Sequence, residues 1–262
     1  MITSSQNAKI KLARALAARS KDRKKAQSFI VEGVRLTEEA MQAGWQPLLV
    51  LYSQQLSSRG MQIIETFQEN GIEVEEVAVN LLNSLSDTET SQGIYAVYQQ
   101  KTLPLPDSLN FILIADQIRD PGNLGTLIRT AAAAGAQAVV TPTGTTDPFA
   151  PKVLRSAMGA HFRLPILEMD WPEIARQFKT NTQSPLRFLI AEAQGGSSCW
   201  MTRLDQPIAL IIGGEADGAG RAARDYADGL VHIPMPGQSE SLNAAVAGSI
   251  LLFEVVRQRS QH

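Results

Sequence analysis

The strongest constraint on the fold is a set of short runs that are apolar at nearly every position: FILIAD at 111–116, RFLIAEA at 187–193 and PIALIIGG at 207–214. A strand with one wet face alternates apolar and polar residues, whereas a run that is apolar throughout must bury both faces. A parallel sheet covered by helices does this. Around these runs the chain alternates strand, loop and helix. Further strands are expected at AQAVVT, FRLPIL and GLVHIP, and helices at LIRTAAAAG, PKVLRSAMG, PEIARQF, GRAARDYA and the closing NAAVAGSILLFEVV. The pattern predicts an α/β domain with a parallel sheet. Upstream, EEAMQAG and MQIIETFQENG read as helices stopped by Gly44 and Gly71, and LLVLY, IEVEEVAV and GIYAVYQ read as strands, which predicts a smaller α/β unit. Between the two series, KTLPLPDSLN with Pro104 and Pro106 reads as a linker. Domains are therefore expected at 1–102 and 103–262.

The 262 residues carry a net charge of −2, so the whole-molecule field gives no reason to expect a polyanionic partner. Locally the balance differs. Residues 9–25, KIKLARALAARSKDRKK, are crowded with lysine and arginine against the single acid Asp22, which makes residues 1–27 a basic arm. Leu12 and Leu16, four apart, predict a helix with one apolar stripe. Cys199 is the only cysteine, which excludes an internal disulfide and a multi-cysteine zinc site. With so few histidines and no clustered ligand spacing, no metal is expected, and His161 and Cys199 read as structural or surface groups. No stretch has the pattern of a signal peptide or a membrane span, so a soluble, cytoplasmic protein is expected.

Ligands of open parallel sheets gather where strands end, which draws interest to three loops. The first, ADQIRDPGNLGTLIRTAAAAGA at 115–136, carries Asn123 and Arg129 into a helix. Arg129 is either a permanent cation suited to phosphate or a surface charge, and Asn123 either a site residue or a helix cap; taken singly, each fits the plainer role. In the second, IIGGEADGAGRAA, Gly213 and Gly214 let something approach the backbone, with Glu215 beside them as either a site residue or a carboxylate at a helix start. A dinucleotide reading of Gly218, Gly220 and Ala223 as G-x-G-x-x-A fails on placement, since the first glycine comes well after the strand and no acid follows the next one. The third, HIPMPGQSESLNAAVAG, holds Gln238, Ser239, Glu240, Ser241 and Asn243 beside Pro234, Pro236 and Gly237. Its small residues Ala244, Ala245, Ala247 and Gly248 predict close packing by another backbone, a ligand or a second subunit.

Together, DPGNLGTLIRTAAAAGA, GGEADGAG and IPMPGQSESLNAAVAGSI resemble, in order and spacing, the three signature motifs of the SpoU/TrmH family of RNA ribose 2'-O-methyltransferases. DPFAPKVLRSAMGAHFRLPI at 147–166 resembles the family's middle segment, and the N-terminal part resembles the L30e-like substrate-binding domain of ribosomal RNA members. The resemblance implies a trefoil-knotted α/β domain threaded after Ile212, a homodimer through the C-terminal domain, and S-adenosylmethionine as cofactor. Ala191, Glu192, Ala193, Ile212, Gly213, Gly214, Ile233, Met235, Ser241 and Leu242 are the implied cofactor contacts. The second motif departs from the family's G-x-E-G-x-G-L at Ala216 and Ala219.

Carried across, the implied catalytic residues are Asn123, Arg129, Glu215, Ser241 and Asn243. Family practice makes Arg129 the general base. A guanidinium normally stays protonated, so stabilising a developing alkoxide while gripping a phosphate is the alternative role. The basic residues Lys9, Lys11, Arg14, Lys21, Arg23, Lys24 and Lys25, with Arg35 and Arg155, are the expected RNA contacts. The substrate expected is 23S ribosomal RNA; transfer RNA methylation, a non-catalytic RNA-binding or assembly role, and a nicotinamide-dependent oxidoreductase are the alternatives.

Overall fold

The computed structural model describes residues 1–85, 91–180, 184–215, 218–237 and 240–261. The chain forms two compact units: Met1–Lys101 with Phe149–Phe162, and Thr102–Pro148 with Arg163–His262. Residues 149–162, expected in the second domain, thus cluster with the first. Among the described residues no helix is long and apolar enough to cross a membrane.

In the first unit a sheet runs in the order β1 (Ser28–Glu32), β4 (Ile94–Gln99), β2 (Leu49–Tyr52), β3 (Val74–Glu76), antiparallel except for the parallel β2–β3 pair. Helices α1 (Ala8–Ala18), α2 (Ser20–Ala26), α3 (Val34–Gln42), α4 (Ser58–Glu69) and α5 (Val79–Asn83) accompany it, with α7 (Pro151–Ala157) from later in the chain. The basic stretch is not an arm. α1 sends Ile10, Ala13 and Leu16 into a core with Ile30, Leu49, Leu51 and Tyr95. The apolar stripe has a spacing of three, and Leu12, expected on it, is 40 % exposed. β1 has no counterpart among the predicted strands. The turn before it is made by Gln27 at φ 48°, a left-handed residue that is not glycine and so leaves no turn signal. IEVEEVAV forms only the short β3, because Val79 already begins α5.

Among the described residues the second unit holds seven parallel strands in the order β7 (Ile166–Glu168), β6 (Ala138–Thr141), β5 (Phe111–Ala115), β10 (Ile208–Ile212), β8 (Arg187–Glu192), β11 (Gly229–His232) and β9 (Ser197–Ser198). Both faces are buried, as the apolar runs require. Ile112, Ile114, Ala209, Ile211, Phe188 and Ile190 form one core with Trp171 and Ile174 of α8 (Trp171–Ala175) and Ala223 of α9 (Arg221–Tyr226). Ile212 points the other way along β10, towards α10 (Ala244–Arg259), which packs beside α6 (Pro121–Ala133). A Cβ on Gly248 of α10 would lie 2.4 Å from Leu127 of α6 and 3.3 Å from Ile212. The small residues predicted in α10 therefore serve close packing within the unit at this point. β9, a two-residue edge strand, is too short to read from periodicity.

Candidate active site

Because every strand of the second sheet is parallel, β5, β8, β10 and β11 all deliver their carboxyl ends to one edge. The three loops meet there. α6 starts at Pro121 after Asp120, whose Oδ1 accepts from the Asn123 N–H at 2.8 Å, so Asp120 is the helix cap and the Asn123 side chain is released for other work. Asn123 Nδ2 donates to Glu215 Oε1 at 2.6 Å, and Asn123 Oδ1 accepts from Asn243 Nδ2 at 3.1 Å. Asn243 in turn caps α10, its Oδ1 accepting from the N–H groups of Ala245 and Val246 at 2.9 and 3.2 Å. One residue from each loop thus enters a single hydrogen-bonded chain, Asn243 to Asn123 to Glu215. Capping of α10 falls to Asn243, two residues after Ser241. Glu215 lies well before α9 starts at Arg221, so it is not a carboxylate at that helix's start.

The second loop is shaped by its glycines. Gly214 and Gly218 exchange backbone hydrogen bonds at 3.0 and 3.1 Å, and a Cβ on Gly213 would stand 2.2 Å from the Ala219 nitrogen. Only glycine fits that close approach. Ala216 lies outside the described residues, as do Gln238 and Ser239 of the third loop.

Beside the hydrogen-bonded chain opens a cavity of about 550 Å³, within the range typical of small-molecule sites. Ala191, Glu192 and Ala193 line it where β8 ends, and Ile212, Gly213 and Gly214 where β10 ends. Ile233, Met235, Ser241 and Leu242 close it from the third loop. All ten residues expected around a cofactor therefore border one space. The lining also holds Gly218 and Leu251, which sequence reasoning missed, and Ala244 and Ala247, for which a ligand was one of the expected neighbours. The apolar walls suit a flat ring, the glycines allow backbone approach, and Glu192, Ser241 and Asn243 offer polar groups to its appendages. Glu192 also pairs with Arg224 at 2.6 Å. Arg129 is exposed on α6 and is not in the cavity lining.

Sequence reasoning also passed over Asp116 as no more than a strand end. It is buried, with Oδ1 accepting from Trp171 Nε1 at 3.2 Å and Oδ2 from the Gly220 N–H at 2.7 Å. The signal available was an acid placed directly after a run of buried apolar residues. Cys199 is buried, and that burial pushes its thiol pKa up; His161 is buried beside the Phe149 ring. Among the described residues no group of His, Cys, Asp and Glu could hold a metal ion.

The expected RNA contacts separate into kinds. Lys11, Arg14, Lys21, Lys24, Lys25 and Arg35 are exposed. Lys9 bridges Glu73 at 2.9 Å and Glu75, and Arg155 pairs with Glu32 at 3.2 Å; Arg35 and Arg155 line one cavity of about 310 Å³ in the first unit. Arg23 departs from the expectation. It is 4 % exposed and donates from Nη1 to the Leu16 carbonyl at 2.6 Å, which ties α2 to α1.

Residues 110–253 match the SpoU rRNA Methylase family and residues 7–96 the MRM3-like substrate binding domain. The 23S rRNA (guanosine(2553)-2'-O)-methyltransferase RlmP of Bacillus subtilis (strain 168) is 34% identical, covering 97% of this chain and 98% of its own. The 23S rRNA (uridine(2479)-2'-O)-methyltransferase of Streptomyces viridochromogenes is 32% identical over 97% of this chain and 91% of its own. The crystal structure of an AdoMet-bound rRNA methyltransferase from Sinorhizobium meliloti superposes with a TM-score of 0.84 at 30% identity, covering 98% of this chain and 97% of that one.

Proposed function

The chain belongs to the SpoU rRNA methylase family, and we infer that it transfers a methyl group from S-adenosylmethionine to a ribose 2'-hydroxyl of 23S ribosomal RNA. The observation that carries this reading is the convergence of three loops, through the Asn243–Asn123–Glu215 chain, on a cavity bordered by all ten expected cofactor contacts. Bound in that cavity, S-adenosylmethionine supplies a methyl group activated by its sulfonium.

The residues of this chain then have two tasks, to hold the attacking oxygen in line and to stabilise the negative charge that develops on it as its proton leaves to solvent. In this reading Ser241 and Asn243 orient the donor side from the third loop. Asn123, fixed between Asn243 and Glu215, presents its amide to the acceptor side. Glu215 holds the second loop against the first. Arg129 supplies positive charge for a nearby phosphate and for the developing alkoxide. That role asks less of a guanidinium than taking the proton would.

Several finer features belong to the same reading. Val246, Ile250 and Phe253, at 48, 42 and 50 % exposure along one side of α10, support a homodimer formed through the second unit. The deep trefoil knot after Ile212 and a cytoplasmic site of action complete it. The exposed basic residues of α1 and α2 hold RNA phosphates.

Mapping 2'-O-methyl groups in ribosomal and transfer RNA from wild-type and deletion cells tests the reading. One 23S position is expected to lose its methyl group, and the purified enzyme to restore it with labelled S-adenosylmethionine. Unchanged maps would overturn the proposal, and a loss confined to transfer RNA would reassign the substrate.

A further inference from the structure

Asp116 grips the second loop at both ends. Its backbone N–H donates to the Ile212 carbonyl at 2.9 Å, where that loop leaves β10. Its Oδ2 accepts from the Gly220 N–H at 2.7 Å, where the loop runs into α9. Between those points lie Gly213, Gly214, Glu215 and Gly218, all in the cavity lining. The following residue presses from below, since a Cβ on Gly214 would stand 2.3 Å from the Gln117 carbonyl oxygen. The other carboxylate oxygen is held from α8 by Trp171 Nε1 at 3.2 Å, and the Trp171 ring stacks on Tyr226 of α9 with centroids 6.0 Å apart.

This arrangement demands a carboxylate. Asp116 is 1 % exposed and faces two N–H donors with two oxygens. An asparagine would turn its NH₂ towards one of those donors whichever way it sat, leaving buried donors opposed. Packing alone would be served at lower desolvation cost by an apolar residue.

We propose that Asp116 is a positioning residue for methyl transfer, fixing the second loop so that its glycines form the cofactor wall and Glu215 meets Asn123. The proposal rests on the reading of the cavity as the methyl-donor site. It predicts that Asp116→Asn in the full-length enzyme weakens S-adenosylmethionine binding about tenfold or more and raises its KM to match, as loss of a hydrogen bond to a buried charge implies. The kcat at saturating cofactor should change less.

Trp171→Phe leaves the Gly220 bond in place, so it is expected to lower Tm while holding cofactor affinity within about threefold of wild type. Asp116→Ala removes both acceptor oxygens without turning an NH₂ towards either donor, so it should reproduce the affinity loss even where Asp116→Asn fails to fold. Calorimetric titration with S-adenosylmethionine and steady-state kinetics read all three. Wild-type affinity in folded Asp116→Asn or Asp116→Ala, or an equal loss in Trp171→Phe, would overturn the proposal. Absence of cofactor binding by the wild-type enzyme would instead overturn the functional reading itself.

Discussion

Asn243 uses one amide for two purposes: its oxygen caps α10 and its nitrogen reaches Asn123. The two can be separated. Aspartate caps a helix as well as asparagine does, so Asn243→Asp should keep Tm within about 2 °C of wild type. It also places a second carboxylate against Asn123, which already serves Glu215, and kcat/KM should fall about tenfold or more. A normal rate in that variant would remove the hydrogen-bonded chain from the mechanism. Arg129→Ala should abolish transfer in single-turnover assays while sparing cofactor affinity, because Arg129 does not border the cavity. Near-normal turnover would take it out of the chemistry. At this scale the sequence was readable only in part. Asn123 reads in the sequence as a possible helix cap, whereas proline at the first helical position puts the cap at the residue before it, Asp120. Arg23 was misjudged because a run of cations does not show which one turns inward to a carbonyl.

At the scale of elements, α10 has two characters. Gly248 admits Leu127 and Ile212, Ala244 and Ala247 border the cavity, and Val246, Ile250 and Phe253 face outwards. If that outer stripe joins two copies, Ile250→Glu with Phe253→Glu should give a folded monomer in sedimentation velocity. A dimer that persists would send the interface elsewhere. The central strands were legible because burial on both faces forces an apolar run, as in β5 and β10. β1 was not, since Gln27 makes its left-handed turn without glycine. α1 was legible as a helix but not in its facing, because Ile10 and Ala13, not Leu12, complete its buried side.

For the whole molecule, a net charge of −2 conceals a local excess of cations in α1 and α2. Exposed Lys21 and Lys25 are the clearest candidates for phosphate contact. Replacing both with alanine should weaken RNA binding at low salt and reduce the slope of log K against log salt by roughly one to two. Cofactor affinity should not move. Arg23→Ala should behave differently, lowering stability by about 1–3 kcal/mol through the lost bond to Leu16 and leaving the salt slope unchanged. An unchanged slope in the lysine variant would remove α2 from the RNA surface. The pin at Asp116 has a further consequence, for how this protein can be altered. With Ile212 and Gly220 both tied to one residue, the two ends of the loop are held at a set separation. A change of length next to Gly213 or Gly214, which line the cavity, moves the wall the methyl donor needs. Grafts of this motif from relatives should therefore succeed when they match its length and fail when they match only its chemistry.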